Sequence, residues 1–255
     1  MSPGALVEAL SGAAQAPGLG WLILAAVLGG IVRGFAGFGT ALVYLPIAGQ
    51  HLPPFAAIST MLVMDLVGPM PNVVAALRQA RWPDVGRLAA GFVLALPLGV
   101  WLLGAVADET FRLGVSLLSI LLLVCLASGA VYRGPMPGPA VMGVGAAGGF
   151  LGGAAGLAGP PVILFYVARA LPVSVTRANL LIYLALSDIA MVALFWGGGL
   201  IAAQALWIGV LLILPYMLAN LAGAAMFRPE RERLYRGVAY AIVAGSAVSG
   251  LPFLD

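Results

Sequence analysis

The chain has 255 residues, 62% of them hydrophobic and 8% charged, with a formal net charge of +3 and a mean hydropathy of +1.09. A soluble domain carries about 25% charged residues, and several apolar runs here exceed the ~20 residues that cross a bilayer as a helix. A soluble globular class is excluded, and an all-α polytopic membrane protein in contact with lipid is expected. The twelve basic residues are all Arg and lie scattered over short loops, which provides no patch for nucleic acid. One Cys (Cys125) and one His (His51) leave no intrachain disulfide and no zinc or Cys/His cluster. No cofactor, metal site or catalytic residue is therefore expected, and the chain is not read as an enzyme.

Met1–Gly18 lacks a basic n-region and carries Glu8, unlike a cleaved signal peptide. Ala5–Ala14 is expected to form a short surface helix ended by Ala16-Pro17-Gly18. Residues 19–50 form the first membrane element, with five glycines between Gly29 and Gly39. The element is too long for one crossing and too short for two, so two half-helices over 20–33 and 38–49 are predicted. Leu52-Pro53-Pro54 opens a second helix, 55–77, interrupted by Pro69 and Pro71. A third helix runs over 85–106 with Pro97 inside, and Asp108-Glu109 open a fourth that ends near Val131. YRGPMPGP, Tyr132–Pro139, reads as a linker.

The plan then repeats. Element five, 140–170, contains GGFLGGAAGLAGPPVILFY (Gly148–Tyr166), whose six glycines and two prolines disfavour regular helix. A break is predicted over 152–161. Leu171-Pro172 opens helix six, 173–195, and helices seven, 200–226, and eight, ending near Gly250, follow. Gly29, Gly30, Gly34 and Gly37 fall 119 residues before Gly148, Gly149, Gly153 and Gly156, and Leu52-Pro53 falls the same distance before Leu171-Pro172. Pro97 pairs with Pro215 at 118, and Phe111-Arg112 with Tyr235-Arg236 at 124. The chain divides into an N-terminal segment 1–18, a first repeat 19–131, a linker 132–139 and a second repeat 140–255.

Charge discriminates between topologies. If elements one and five are re-entrant, Arg78, Arg81, Arg87, Arg133, Arg169, Arg177, Arg228, Arg231, Arg233 and Arg236 share one side and only Arg112 faces the other. The positive-inside rule prefers that division. Each half then has three full crossings, so the repeats are inverted, with both chain ends facing the periplasm. Gly/Pro-interrupted segments in corresponding positions of two inverted halves point to a transport site near the midplane.

The twin motifs GGIVRGFAGFGTALVYLPIA and GGFLGGAAGLAGPPVILFY, with the Leu-Pro-initiated helices after them, resemble the TauE/SafE family over nearly the whole chain. The resemblance implies a secondary transporter, an exporter, of small anions such as sulfite, organosulfonates or carboxylates in a bacterial inner (cytoplasmic) membrane. It leaves the anion open, and the first motif departs from the usual glycine-rich pattern at Arg33, Phe35 and Phe38. No ATP-binding motif is present, so any pumping is expected to be gradient-driven or to rely on a partner. A passive anion channel or a non-transporting assembly subunit remains an alternative, and a homo-oligomer is left open. No nucleophile–base pair or HExxH supports an intramembrane enzyme.

The residues agree with an anion. A half-helix that starts after a glycine break aims free N–H groups and a positive dipole end at the cavity. Two such ends are expected, one at Gly37–Ala41 with Gly39 and the Thr40 hydroxyl, and one at Gly156–Val162 with Gly159 and Pro160. Gly34 and Gly153 belong to the same twin motifs. Arg33 in apolar sequence reads as a substrate ligand or as a partner of a carboxylate. Asp65 and Asp188 are candidates for proton coupling or for balancing Arg33 and Arg177. Asn179, Tyr183 and Ser187, spaced by four beside Arg177, form a stripe that lines a cavity or ties helices together.

Overall fold

The computed structural model describes residues 3–128, 137–168, 171–226 and 232–253. Among them the secondary structure is entirely helical, in twelve helices. The short helix α1, Pro3–Ala14, packs against a late helix of the chain, Ala203–Met226. The predicted first break is present but lies at 37–39, later than the expected 34–37, because α2 continues through Gly34, Phe35 and Ala36. α2, Leu19–Ala36, stops at Gly37 with φ of 82°, and α3, Thr40–Ala48, starts after Gly39 with φ of 115°. Both angles lie in the left-handed region that glycine adopts without a Cβ clash. The hairpin returns to where it began: a Cβ on Gly18 would stand 2.7 Å from Nδ1 of His51.

α4, Pro54–Val67, and α5, Met70–Ala76, bend by 56° at Gly68-Pro69, as the prolines there predict. α6, Trp82–Ala105, and α7, Asp108–Ala127, complete the first half. Residues 129–136, which hold most of the expected linker and Arg133, lie outside the described residues, as do Arg169, Arg228 and Arg231. The second half comprises α8, Gly138–Ala155, α9, Gly159–Ala168, α10, Val173–Gly197, α11, Ala203–Met226, and α12, Glu232–Ser249. Among the described residues five helices (α2, α6, α7, α10 and α11) are long and apolar enough to cross a membrane, and the bent pair α4–α5 makes a sixth if it is one span.

One expectation needs correction. The glycine run at 148–155 is helical, and the break is confined to residues 156–158, ended by Gly156 with φ of 70°. Packing overrides propensity there. α8 lies against α6 at backbone distance, and a Cβ on Gly153 would stand 2.6 Å from the Leu96 carbonyl oxygen. A larger residue would separate the two helices, which is the small-residue packing seen between helices in membranes.

The same approach recurs between α2 and α11. A Cβ on Gly30 would stand 2.7 Å from the Tyr216 carbonyl oxygen, and one on Gly34 would stand 2.7 Å from the Ala224 amide nitrogen. The two interfaces correspond residue by residue. Gly30 meets Tyr216 as Gly149, 119 residues on, meets Phe92, 124 residues before Tyr216. Gly34 meets Asn220 as Gly153 meets Leu96, at the same two spacings. The first hairpin thus packs on a helix of the second half, and the second on a helix of the first. Contact aligns α6 with α11 at 124, so Pro97 and Pro215, 118 apart, are not structural equivalents.

Side-chain contacts sort the helix ends into two faces. Phe55 at the start of α4 packs on Phe195 at the end of α10. An open pocket of about 500 Å³ between the residues that precede α4 and the start of α7 is lined by Gln50, His51, Pro53, Asp108, Glu109 and Arg112. At the opposite ends, the Arg81 amide donates to Asn179 Oδ1 at 2.7 Å, and Gly138 lies against the Arg87 guanidinium.

Candidate functional site

Arg33 is the fourth residue from the C-terminal end of α2 and is only 2% exposed. A guanidinium so placed needs a partner, and α4 supplies one. Arg33 Nη1 donates to Asp65 Oδ2 at 2.8 Å. The other Asp65 oxygen accepts from the Tyr216 hydroxyl of α11, and the Tyr216 oxygen lies 2.8 Å from Thr40 Oγ1 at the start of α3. A second carboxylate, Asp188 of α10, places Oδ2 3.8 Å from Arg33 Nη2. Five elements therefore converge on one guanidinium. Asp65 lies eleven residues from the start of α4 and Asp188 nine from the end of α10. At 1.5 Å per residue these are about 16 and 14 Å along the helices from the ends where Phe55 and Phe195 meet.

A small cavity of about 30 Å³ opens beside the cluster, room for one or two waters. Its polar wall is Arg33, Asp65, Asp188, Gly39 and Thr40. Gly156 of the second break and Gly159 and Pro160 at the start of α9 also line it, and Phe38, Ala41, Leu42, Met61, Leu157, Ala158, Ile163 and Leu184 make the apolar remainder. Arg33 Nε and Nη2 and Asp188 Oδ2 are buried without a hydrogen-bond partner among the described residues. Such buried groups are uncommon and call for a physical reason.

The two helix starts at the cavity are unequal as anion sites. The first backbone bond of α3 runs from the Val43 amide to the Gly39 carbonyl, so Thr40, Ala41 and Leu42 precede the helical ladder with their N–H groups. In α9 the first three residues are Gly159, Pro160 and Pro161, and only Gly159 has an N–H to offer.

The expected site residues thus divide. Arg33, Gly39, Thr40, Asp65, Gly156, Gly159, Pro160 and Asp188 line one cavity. The others stand outside its lining. Gly34 and Gly153 carry the helix contacts described above, and Gly37 turns the chain at the end of α2. Arg177 Nη2 donates to the Gly34 carbonyl, a cation at the negative end of α2. Asn179 holds the Arg81 amide, and the Tyr183 hydroxyl donates to the Ala158 carbonyl at 3.3 Å, behind the second break. The stripe spacing is present, with Ser187 Oγ donating to the Tyr183 carbonyl at 2.9 Å, but its partners are backbone groups.

Tyr216 is the polar partner that sequence reasoning missed. It sits in the apolar run of α11, without a motif, and is fully buried. A phenol in the interior of a membrane helix was the available signal, since a buried Tyr hydroxyl needs a partner.

The same two spacings relate further residues at the site. At the spacings that align the packed interfaces, Arg33, Asp65 and Tyr216 correspond to Gly152, Leu184 and Phe92. Gly152 lies against the Phe92 ring, and Leu184 lines the cavity. Likewise, Arg177 beside Gly37 corresponds to Ile58 beside Gly156. Each of these polar residues has an apolar or glycine counterpart at the matching spacing, so the charged cluster occurs once and is not duplicated.

The family model for the sulfite exporter TauE/SafE matches residues 22–250. A probable sulfite/organosulfonate exporter TauE of Cupriavidus necator is 25% identical over 220 residues, 84% of this chain and 86% of that protein. No solved structure matches the chain.

Proposed function

This chain belongs to the sulfite exporter TauE/SafE family, and we propose that it is a gradient-coupled secondary transporter, an exporter, that moves sulfite, organosulfonates or related small anions across a bacterial inner membrane. The observation that carries the reading is Arg33. Its Nε and Nη2 are buried without hydrogen bonds among the described residues, beside a cavity about half a bilayer core along α4 and α10, and the donor-rich start of α3 faces the same space. An oxyanion offers acceptors to both sets of donors, and charge-assisted hydrogen bonds of this kind are the strong ones. The cavity holds only a water or two, which suits a closed form that must widen to admit an anion.

The topology is part of the proposal. The meeting of Gly18 and His51 supports a first hairpin that enters and leaves on one face. The full crossings are then α4–α5, α6 and α7 in the first half, and α10, α11 and α12 in the second. Arg78, Arg81, Arg87 and Arg177 belong to one face and Arg112 to the other, in the sense the positive-inside rule gives the cytoplasm. The residue-by-residue correspondence of the α2–α11 and α8–α6 interfaces supports two repeats, 19–131 and 140–255, related by an axis in the membrane plane. Alternating access then rocks the repeats about the Arg33 cluster.

The test is uptake and thermal-shift measurement on purified protein with sulfite, methanesulfonate and acetate. At least one sulfur oxyanion is expected to stabilise the protein and to cross proteoliposomes, with a rate that responds to an imposed proton gradient. Failure of all three to bind or cross would refute the reading.

A further inference from the structure

We propose that Asp188 is the residue that takes up a proton when the anion binds, while Asp65 stays ionised as the fixed counter-ion that aims Arg33. The proposal rests on the transporter reading above and adds a division of labour between its two carboxylates.

The two groups differ in what they hold. Both oxygens of Asp65 are committed, one to Arg33 Nη1 at 2.8 Å and the other to the Tyr216 hydroxyl, itself bonded to Thr40. A proton on Asp65 would displace one of these bonds. Asp188 makes no such commitment. Its Oδ2 stands 3.8 Å from Arg33 Nη2, beyond hydrogen-bond reach, and has no other partner among the described residues. Asp188 is 4% exposed and lines the cavity. The gap between Nη2 and Oδ2 is therefore where an oxyanion oxygen meets both groups.

The charged and titratable groups around Asp188 are few. α2 brings Arg33, α4 brings Asp65, and α11 brings Tyr216 through Asp65. Its own helix adds Tyr183, with Tyr166 of α9 beyond it. α5 and α8 contain no titratable residue, and α6 has Asp84 and Arg87 only in its first turns. With both carboxylates ionised the cluster carries one net negative charge. A bound sulfonate would make it two, in a medium that tolerates buried charge poorly. One proton from water, forming an O–H bond at Asp188 Oδ2, returns the total to one. It also changes the group from acceptor to donor, so the carboxyl hydrogen-bonds the anion instead of repelling it. When the anion leaves, the O–H bond breaks and the proton returns to water. Anion and proton then favour each other's binding reciprocally.

The experiment uses methanesulfonate, which stays ionised across the working range, so every proton counted belongs to the protein. Calorimetric titration of the full chain in two buffers of different ionisation enthalpy gives the protons taken up per anion. The wild type is expected to take up close to one. Asp188→Asn is expected to bind methanesulfonate with no proton uptake. In proteoliposomes it should still exchange the anion but lose accumulation driven by a proton gradient. Asp188→Glu should restore both. Asp65→Asn is expected to weaken binding at least tenfold while the remaining binding still takes up the proton. The wild-type count requires no variant to fold. Wild-type binding without proton uptake, or uptake that survives in Asp188→Asn, overturns this inference alone. A wild type that neither binds nor moves any sulfur oxyanion overturns the transporter reading, and the inference with it.

Discussion

Arg33 has two tasks that a single substitution confounds. It holds the cluster together, and it offers the donors that remain. Arg33→Ala leaves Asp65 buried without its cation, a loss of about 3–5 kcal/mol when a buried pair is broken. Arg33→Ala combined with Asp65→Asn removes both charges, so we expect it to recover most of the lost thermal stability yet to bind anion ten to a hundred times more weakly than wild type, roughly 1.5–3 kcal/mol for a charged hydrogen bond. Thermal melts and methanesulfonate titrations on the two variants separate folding from binding. A double variant that binds normally would move the anion site elsewhere. Tyr216→Phe deletes only the hydroxyl that accompanies Asp65. It should lower stability by about 1–3 kcal/mol, the cost of an unsatisfied buried acceptor, and leave the preference among anions unchanged.

At the level of elements, the two hairpins share a plan and differ in donors. α9 begins Gly159-Pro160-Pro161, so its first turn is stiff and nearly empty of N–H groups. Pro160→Ala adds one N–H at the cavity wall and should tighten anion binding, by up to about tenfold if the bond is charge-assisted; an unchanged Kd would show that the α9 start does not face the anion. Gly156→Val puts a β-branched residue at φ of 70° against Leu45 and Ile58. It is expected to abolish transport and lower the melting temperature. The broken elements and the Leu-Pro helix starts were legible in the sequence because glycine and proline act locally on the backbone. The helical state of residues 148–155 was not, because it depends on α6 lying close enough to exclude side chains. Nor did the spacing of Asn179, Tyr183 and Ser187 show what they touch. Helical period fixes a face, whereas the neighbour comes from another part of the chain. Asp65 and Asp188 were visible as carboxylates in apolar helices. Their shared guanidinium required the fold, since at the repeat spacing they correspond to Leu184 and Pro69 and are not copies of one another.

For the whole molecule, the proposed topology predicts which loops share a compartment. In a Cys125→Ser background, single cysteines at Glu109 and Gly198 should react with an impermeant reagent added outside spheroplasts, and one at Gln79 should react only after lysis. All three positions are exposed. Labelling of Gln79 together with Gly198 would reject the inverted arrangement. The exchange of partners between halves also constrains how the chain is made. α2 finds its flanking helix α11 only after more than 180 further residues have been synthesised, roughly 10–40 s at 5–20 residues per second. Through that interval its glycine face has no helix to meet, although Arg33 has Asp65 within 32 residues and need not wait uncompensated. A first half expressed alone should accordingly be degraded quickly, and the two halves expressed from separate messages should protect one another. Pulse-chase lifetimes, with and without the second message, would measure that mutual dependence in the growing cell.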